Sequence, residues 1–343
     1  MMMKEALSYD DVLLVPKYSD VESRSQVDIG SDLDDVIHLK LPVIASPMDT
    51  VSESDMALAV ASAGGIAVIH RYNTVQEQAT IVAKVLFTDE NAKVGAAIGM
   101  TDTLERAYAA ASVGAQVLCV DVAHGHHVMM ERCLKTLKDK YTDSVHIMAG
   151  NVATLEGFDA LASWGADSIR VGIGGGSICS TRLVTGHGIP TFQSILDCRD
   201  TTYGDVKIIA DGGIKTTGDM VKAYAAGADF VMIGSILAGT EESPGETLHS
   251  SSGKKYKIYR GMASEEAQKD WRGETSTPEG VSTTIPFRGS VGPILQNIAG
   301  GIRSGLSYSG VRSLRELRSK ASFIRQSGAG QIESSTHILK GRT

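Results

Sequence analysis

The chain has 343 residues, of which 42% are hydrophobic, and a formal net charge of −7. This size and composition support a large buried core, whereas an acidic balance without a basic stripe argues against nucleic acid as the main partner. The acidic start lacks an apolar targeting segment, and no apolar run reaches the roughly 18 residues that cross a bilayer. We therefore expect a cytoplasmic protein with no membrane partner.

The chain order predicts a barrel. Residues 1–40 are expected to form an N-terminal extension that packs beneath or beside the main domain, and eight apolar runs then alternate with amphipathic helical stretches. The runs are LPVIASPM (41–48), GIAVIH (65–70), KVGAAIG (93–99), GAQVLCVDVA (114–123), HIMAGNV (146–152), GADSIRVGIG (165–174), KIIADGG (207–213) and GADFVMIGSI (227–236). Continuous apolar strands separated by helices predict a parallel sheet covered by helices. Eight such units predict a closed (β/α)₈ TIM barrel that makes 1–343 a single catalytic domain.

The segment after the eighth run is longer than a barrel loop needs. Residues 240–290 contain an expected hairpin, KKYKIYRGM (254–262), and then the polar stretch 265–286, here called the flap. Long polar insertions near a barrel mouth are often lids, so we expect the flap to be mobile and to lie at the C-terminal face. The tail, 325–343, is rich in Gly and Ser, which predicts weak order in an isolated subunit.

Polar residues follow several of the predicted strands. Because barrel active sites sit at the carboxyl ends of the strands, Asp49, Asp121, Asn151, Cys179 and Asp211 are expected on one rim. Any one of them could be a loop or helix cap. Their convergence from different strands favours a functional site.

Glycine-rich strand ends predict a phosphate site. Gly174, Gly175 and Gly176 permit close backbone approach and an anion-binding nest, and Ser177 adds a hydroxyl. ADGG and IGS end the seventh and eighth strands, where barrels commonly bind phosphate. Tight turns alone would also explain these glycines, but three adjacent strand ends favour phosphate. Asp211 would repel a phosphate and suits ribose hydroxyls as an acceptor.

Cys179 differs from the other three cysteines. No cysteine spacing indicates a metal site or a disulfide framework, and Cys119, Cys133 and Cys198 fit small buried hydrophobic positions. Cys179 follows the glycine loop at the active rim, beside hydroxyls and Arg182. Local N–H groups and a nearby cation favour the nucleophilic thiolate, so the residues leave two readings open, nucleophile or inert thiol.

The chain resembles a known family over about residues 10–325. The motifs that carry the resemblance are DDVLLVP (10–16), MDTVSESDMA (48–57), GGIAVIH (64–70), GIGGGSIC (172–179), IIADGGI (208–214), MIGSILAGTEESPGE (232–246), YRGM (259–262) and EGV (279–281). This combination is similar to the IMP dehydrogenase/GMP reductase family and is far more specific than a lone glycine loop.

The resemblance implies a role for each matching position. Cys179 would attack C2 of a purine and form a covalent thioimidate, with Thr181 and Glu279 in proton transfer. The implied substrate contacts are Ser177, Gly213, Gly234, Ser235 and Tyr259 for the 5′-phosphate, Asp211 for the ribose, and Gly261 and Met262 for the base edge. The nicotinamide side is implied at Asp121, with Val122 and Ala123, and a potassium site at the carbonyls of Gly174, Gly176 and Cys179. Gly175 replaces the family's proline or serine, which would loosen the loop. A homotetramer is also implied.

The two branches of the family differ in the flap. Dehydrogenases resemble one another in carrying an Arg-Tyr pair about a dozen residues before EGV, whereas this chain has Trp271 followed by Arg272. The missing pair favours an NADPH-dependent GMP reductase that converts GMP to IMP and ammonia. The motif DVAHGH (121–126), the short 71–92 segment without a CBS domain, and the chain length point the same way.

Other features keep alternatives open. DDVLLVP, AGTEESPGE, YRGM and the ESSTH tail look dehydrogenase-like, so an IMP dehydrogenase without CBS domains, which converts IMP, NAD and water to XMP and NADH, remains an alternative. A non-catalytic purine-nucleotide binder or a flavin barrel would not need Cys179, Thr181 and Glu279 together. The histidines of HGHH (124–127) fit a cofactor loop better than a metal site.

Overall fold

The computed structural model describes residues 3–334. Its strands are β1 (Val12–Leu14), β2 (Ser31–Asp32), β3 (His38–Leu39), β4 (Val43–Ala45), β5 (Ile66–Ile69), β6 (Val94–Ile98), β7 (Val117–Asp121), β8 (His146–Val152), β9 (Ser168–Val171), β10 (Lys207–Asp211), β11 (Phe230–Ile233), β12 (Leu248–His249), β13 (Lys255–Arg260), β14 (Ser282–Pro286) and β15 (Phe323–Arg325). Its α-helices are α1 (Ser54–Ser62), α2 (Val75–Thr88), α3 (Thr103–Ser112), α4 (Val128–Tyr141), α5 (Leu155–Ser163), α6 (Thr181–Thr185), α7 (Thr191–Cys198), α8 (Thr217–Ala226), α9 (Glu265–Arg272), α10 (Gly292–Tyr308), α11 (Leu314–Lys320) and α12 (Gly328–Glu333).

Strands β4 to β11 close into the predicted barrel. Each pairs in parallel with its neighbour, and β11 pairs with β4 to complete the ring. A helix follows each of the strands β4 to β10, whereas β12 and β13 of the insertion follow β11. The connection between β5 and β6 contains only α2. The prediction of a (β/α)₈ TIM barrel is confirmed.

Local sequence signals set the helix boundaries. The repeated Gly-Ala turns place Gly114, Gly165 and Gly227 at φ values of 101°, 105° and 136°, a backbone region that glycine enters without steric cost. Helix α2 begins with a capping box in which Thr74 and Glu77 satisfy each other's backbone N–H groups. These short-range features end each helix where the next strand must start.

The barrel has two hydrophobic cores. The larger lies between the strands and the helices, and the smaller fills the barrel interior with alternate side chains such as Ile44, Cys119 and Phe230. Leu33, Ile37 and Leu39 join this interior cluster from the N-terminal extension. The β2–β3 hairpin therefore closes the bottom of the barrel, at the end away from the rim residues.

The first and last strands of the described residues pair with each other. Strand β1 pairs antiparallel with β15, and Tyr9 just before β1 is buried against Phe192. Helix α12 forms the first part of the tail that was expected to be weakly ordered, and Ser327 caps it. The rest of that tail, from residue 335, lies outside the described residues.

The insertion after β11 forms a three-stranded sheet. Strand β13 pairs with β12 on one side and with β14 on the other, both antiparallel. The prediction that KKYKIYRGM is itself a hairpin is therefore wrong. Its alternating side chains form one central strand, and the turn precedes it at residues 250–253, where Ser250 and Gly253 are hydrogen-bonded. Within residues 3–334, no helix is both long and apolar enough to cross a bilayer.

Candidate active site

One cavity of about 820 Å³ opens at the carboxyl ends of the barrel strands. Its lining includes every residue to which the sequence assigned a role: Asp121, Val122, Ala123, Gly174, Gly176, Ser177, Cys179, Thr181, Asp211, Gly213, Gly234, Ser235, Tyr259, Gly261, Met262 and Glu279. Asn151 also lines it, whereas Asp49 is not among the lining residues and accepts hydrogen bonds from Arg260 on β13. Residues from β7 to β11 and from the insertion thus share one space.

The glycine-bearing strand ends form one side of the cavity. Gly174 and Gly213 have φ values of 79° and 78°, and a Cβ on Gly175 would lie only 2.7 Å from Thr191 Oγ1. A Cβ on Gly212 would lie 3.1 Å from Gly176 N, so the loops after β9 and β10 approach each other closely because they lack side chains. Their backbone is consequently exposed to a ligand, as anion binding requires.

A pair of hydroxyls completes this side. Ser177 Oγ lies 3.2 Å from Tyr259 Oη, which joins the loop after β9 to strand β13. Burial is the main effect that raises the pKa of Tyr259, so its hydroxyl remains a hydrogen-bond donor at neutral pH. Two hydroxyls beside the backbone of the glycine-bearing loops suit a phosphate.

Cys179 is the accessible thiol of the site. It is half-buried at the cavity wall, whereas Cys119, Cys133 and Cys198 are buried elsewhere. Burial raises the pKa of Cys119 and of Cys198 to about 12, which keeps both as unreactive thiols. Cys179 Sγ lies 3.2 Å from Thr181 Oγ1, so a hydroxyl that can exchange a proton stands next to the sulfur.

The flap covers the Cys179 loop through backbone hydrogen bonds. Ser180 N–H donates to the Glu279 carbonyl at 3.0 Å, and Val281 N–H donates to the Ile178 carbonyl at 3.0 Å. Cys179 therefore pairs with Gly280 across a short antiparallel bridge. This pairing fixes Glu279 beside the nucleophile although 100 residues separate them in sequence.

Side chains hold the other end of the flap. Trp271 stacks on Tyr72 at a centroid separation of 6.0 Å and an interplanar angle of 20°. Arg260 donates to Asp49 Oδ2 from Nη2 at 2.7 Å and to Asp270 Oδ2 from Nη1 at 2.5 Å. The flap is therefore anchored to the loop after β5 and to strand β13.

Buried charges form the cavity floor. Arg170, on β9, donates to Asp211 Oδ2 from Nη2 at 2.8 Å and from Nε at 3.1 Å, and its Nη1 donates to Asp121 Oδ1. Burial lowers the pKa of Arg170, but Asp211 and then Asp121 outweigh it, so that this pKa lies well above its ordinary value. Asn151 Nδ2 adds a donor to Asp211 Oδ2 at 2.9 Å. Both carboxylates are thereby fixed in orientation.

Comparisons with known proteins agree with this geometry. The family model described as IMP dehydrogenase / GMP reductase domain matches residues 6–337. The chain belongs to the IMP dehydrogenase/GMP reductase family. Similar curated relatives include the inosine-5′-monophosphate dehydrogenase of Nitrosopumilus maritimus (strain SCM1), 34% identical over 98% of this chain and 99% of the relative. The GMP reductase of Leishmania major is also 34% identical, over 98% of each chain.

A solved structure gives the same fold. A cysteine-to-alanine variant of GMP reductase from Trypanosoma brucei, in complex with guanosine 5′-monophosphate, superposes with a TM-score of 0.92 at 31% identity and covers 98% of each chain. Its name, with those of the relatives, places this chain among the family's oxidoreductases. The similar identities to dehydrogenases and reductases mean that overall similarity does not separate the two activities.

Sequence reasoning did not assign a role to two arginines of the site. Arg170 interrupts an otherwise apolar strand, and a charged residue in a buried strand is the signal that could have found it. Arg71 lies two residues after the end of β5 and donates from Nη2 to the Asp121 carbonyl at 3.3 Å. Arg71 Nε is buried and has no hydrogen-bond partner among residues 3–334.

The histidine loop after β7 has a structural role. His127 Nδ1 accepts from Met129 N–H at 3.1 Å and caps helix α4, while His126 packs against Trp164. In the part of the chain that the structure describes, no group of three or more His, Cys, Asp or Glu side chains could hold a metal ion.

Proposed function

We propose that this chain is a GMP reductase that converts GMP to IMP and ammonia with NADPH. The observation that carries the proposal is the flap: the segment that pairs with the Cys179 loop contains no tyrosine, and its aromatic residue, Trp271, stacks on Tyr72. Hydrolysis of a thioimidate requires activated water, which the resemblance assigns to an Arg-Tyr pair in dehydrogenases. A reductase has no hydrolytic step and needs no such pair.

The residues of the cavity suit each step of this reaction. The Cys179 thiolate attacks C2 of GMP, and the 2-amino group leaves as ammonia after it gains a proton, which forms the thioimidate. Thr181, 3.2 Å from Sγ, and Glu279 of the flap are positioned to move that proton. A hydride then reaches C2, and the C–S bond breaks to give IMP and regenerate the thiolate.

The cavity has features that fit the nicotinamide cofactor. Its volume of about 820 Å³ lies near the upper end of the ~300–1,000 Å³ that ligand pockets span, which leaves room for a second ligand beside a mononucleotide. Asp121, Val122 and Ala123 line the side away from the glycine loop, and the unpartnered Arg71 Nε is a donor there. These residues would hold NADPH, which supplies the hydride.

The proposal includes a monovalent cation and an assembly. Within residues 3–334, the carbonyls of Gly174 and Cys179 accept no backbone hydrogen bond outside regular elements, while that of Gly176 accepts only Cys179 N–H at 3.1 Å. Carbonyl oxygens with free lone pairs suit a hard cation, so these three would hold potassium. A cytoplasmic homotetramer remains part of the proposal.

A dehydrogenase is the second candidate. Arg272, at the end of α9, lines the cavity, and a guanidinium there could activate water for hydrolysis of the thioimidate. The same Cys179, Thr181 and Glu279 would then oxidise IMP with NAD to give XMP. Neither a non-catalytic binder nor a flavin enzyme is favoured by any of these contacts.

Assays in both directions test the assignment. With GMP and NADPH, the purified protein is expected to oxidise NADPH, which lowers the absorbance at 340 nm. It should release one ammonia for each NADPH oxidised. With IMP and NAD, it should produce NADH at a much lower rate. A comparable or faster rate in the second assay would show that the reductase assignment is wrong.

Replacement of the nucleophile tests the covalent step. Cys179→Ala should abolish turnover in either direction while GMP binding, measured by calorimetry, stays detectable, because the phosphate and ribose contacts do not involve the sulfur. Cys133→Ala is the matched control, since this buried thiol lies on α4 outside the cavity. Retained turnover in Cys179→Ala would contradict the mechanism.

A further inference from the structure

Four charged side chains alternate in sign across the cavity floor. Arg71 Nε lies 3.9 Å from Asp121 Oδ2, Asp121 Oδ1 accepts from Arg170, and Arg170 Nη2 lies 2.8 Å from Asp211 Oδ2. Three strand ends, those of β5, β7 and β10, are thereby linked through the guanidinium on β9. The row runs from the side assigned to the cofactor to the side assigned to the nucleotide ribose.

Arg170 is the shared member of this row. Its side chain is only 8% exposed, whereas those of Asp121 and Asp211 are 19% and 15% exposed. The cation is therefore the least exposed of the three groups, and all three line the cavity. Without the cation between them, the two carboxylates would repel each other.

The contacts of the Arg170 guanidinium also decide which carboxylate oxygen of Asp211 can accept from a ligand. Both contacts from Arg170 to Asp211, and that from Asn151, end on Oδ2. Among the described residues, no side-chain hydrogen bond engages Asp211 Oδ1, so this oxygen can accept from a ligand hydroxyl. A single ammonium could not reproduce contacts from Nε and Nη2 to one carboxylate and from Nη1 to the other.

We propose that Arg170 is a positioning residue that orients Asp211 for the nucleotide ribose and Asp121 for the cofactor, and so makes binding at both subsites depend on one buried cation. This inference rests on the proposed function for the identity of the two ligands. It concerns the binding subsites and not the direction of hydride transfer. Among residues 3–334, the side-chain hydrogen bonds of Arg170 go to Asp211, Asp121 and the buried Cys119, and not to Cys179 or the glycine loop. Arg170 therefore acts through the carboxylates.

The test separates the two subsites. Nucleotide affinity is measured by calorimetry with GMP or IMP alone, and cofactor KM by steady-state kinetics at saturating nucleotide. Asp211→Asn should weaken nucleotide binding alone, and Asp121→Asn should raise the cofactor KM alone. Arg170→Met should do both, each by about tenfold or more, because hydrogen bonds to charged groups contribute on this scale.

A double-mutant cycle shows whether Arg170 acts through Asp211. The Arg170→Met/Asp211→Asn protein should bind nucleotide within about twofold of Asp211→Asn alone, since the orientation of a missing carboxylate no longer matters. If the double variant instead raises the nucleotide Kd by the product of the two single-variant factors, the proposal is overturned. An Arg170→Met protein whose nucleotide Kd and cofactor KM both stay within twofold of the parent would also overturn it.

Two further variants control for folding. Arg170→Lys keeps the positive charge but loses the planar guanidinium, so it should raise the nucleotide Kd and the cofactor KM by a smaller factor than Arg170→Met. If neither constant changes in Arg170→Lys, the proposal is overturned even when Arg170→Met fails to fold. Arg106→Met is the matched control, because Arg106 is a comparably buried arginine paired with Asp102 on α3, outside the cavity. It should lower thermal stability and leave both constants unchanged.

The outcomes distinguish this proposal from the proposed function. If the parent protein oxidises IMP and does not reduce GMP, the reductase assignment fails. The positioning role is then tested with the same variants by measuring the Kd for IMP and the KM for NAD. If the parent binds nucleotide and turns over normally while the Arg170 variants match it, the positioning role fails and the function stands.

Discussion

Removal of the Trp271 ring should open the flap. Trp271 stacks on Tyr72 with centroids 6.0 Å apart, and this contact exists only when α9 lies against the loop after β5. Such a pair contributes about 0.5–1.5 kcal/mol beyond the area it buries. At about 1.4 kcal/mol per factor of ten, Trp271→Ala should lower the ratio of closed to open flap by roughly 2- to 12-fold.

Limited trypsin digestion measures this ratio. Arg272 is exposed at the end of α9 and precedes Gly273, so cleavage of this bond should follow the population of the open flap when closing is faster than cleavage. The initial cleavage rate of Trp271→Ala should rise by the factor given above, and kcat/KM for the nucleotide should fall in parallel. Thermal stability of the barrel should change little.

A cycle with Tyr72→Ala identifies the stack as the cause. Because either substitution removes the whole contact, the double variant should be cleaved no more than about twofold faster than the faster single variant. Tyr108→Ala is the matched control, since this exposed tyrosine on α3 lies beside Lys140 and away from the cavity. If the cleavage rate of the double variant instead rises by the product of the factors for Tyr72→Ala and Trp271→Ala, the reasoning is refuted.

Two predictions concern stability. Gly172 has φ 144°, and a Cβ there would lie 1.9 Å from the Asp211 carbonyl, so Gly172→Ala should lower the free energy of unfolding by at least about 1–3 kcal/mol; an unchanged urea midpoint would contradict this. The hydrogen bond from His146 is the main cause that lowers the pKa of Asp34 from 3.8 to about 2. This contribution is full above about pH 4 and is lost as the pH falls through 2, so Asp34→Asn should cost about 1–2 kcal/mol at pH 7, after allowance for solvent screening, and much less near pH 2. A difference in stability between the two proteins that is the same at both pH values would argue against a contribution from the hydrogen-bonded Asp34 carboxylate.

Much of the barrel follows from local sequence. The alternation of apolar runs with amphipathic stretches, and the Gly-Ala turns at Gly114, Gly165 and Gly227, predict the strands and helix ends because helix periodicity and positive φ are properties of a few neighbouring residues. The hairpin at 254–262 was the exception. A period-two pattern identifies a strand, but it does not tell which flanking segments will pair with it.

The sequence also identified the candidate site residues, through their places at strand ends and in family motifs. It did not show which of these residues contact one another. Arg170 meets Asp121 and Asp211, which lie 49 and 41 positions away, and Glu279 reaches the Cys179 loop only through the flap. Closure of the barrel places β7, β9 and β10 close together whatever their separation in sequence. The sequence thus determined which groups stand at the rim, and the tertiary structure alone decided that one buried cation serves two carboxylates, because charge pairing depends on distance in space.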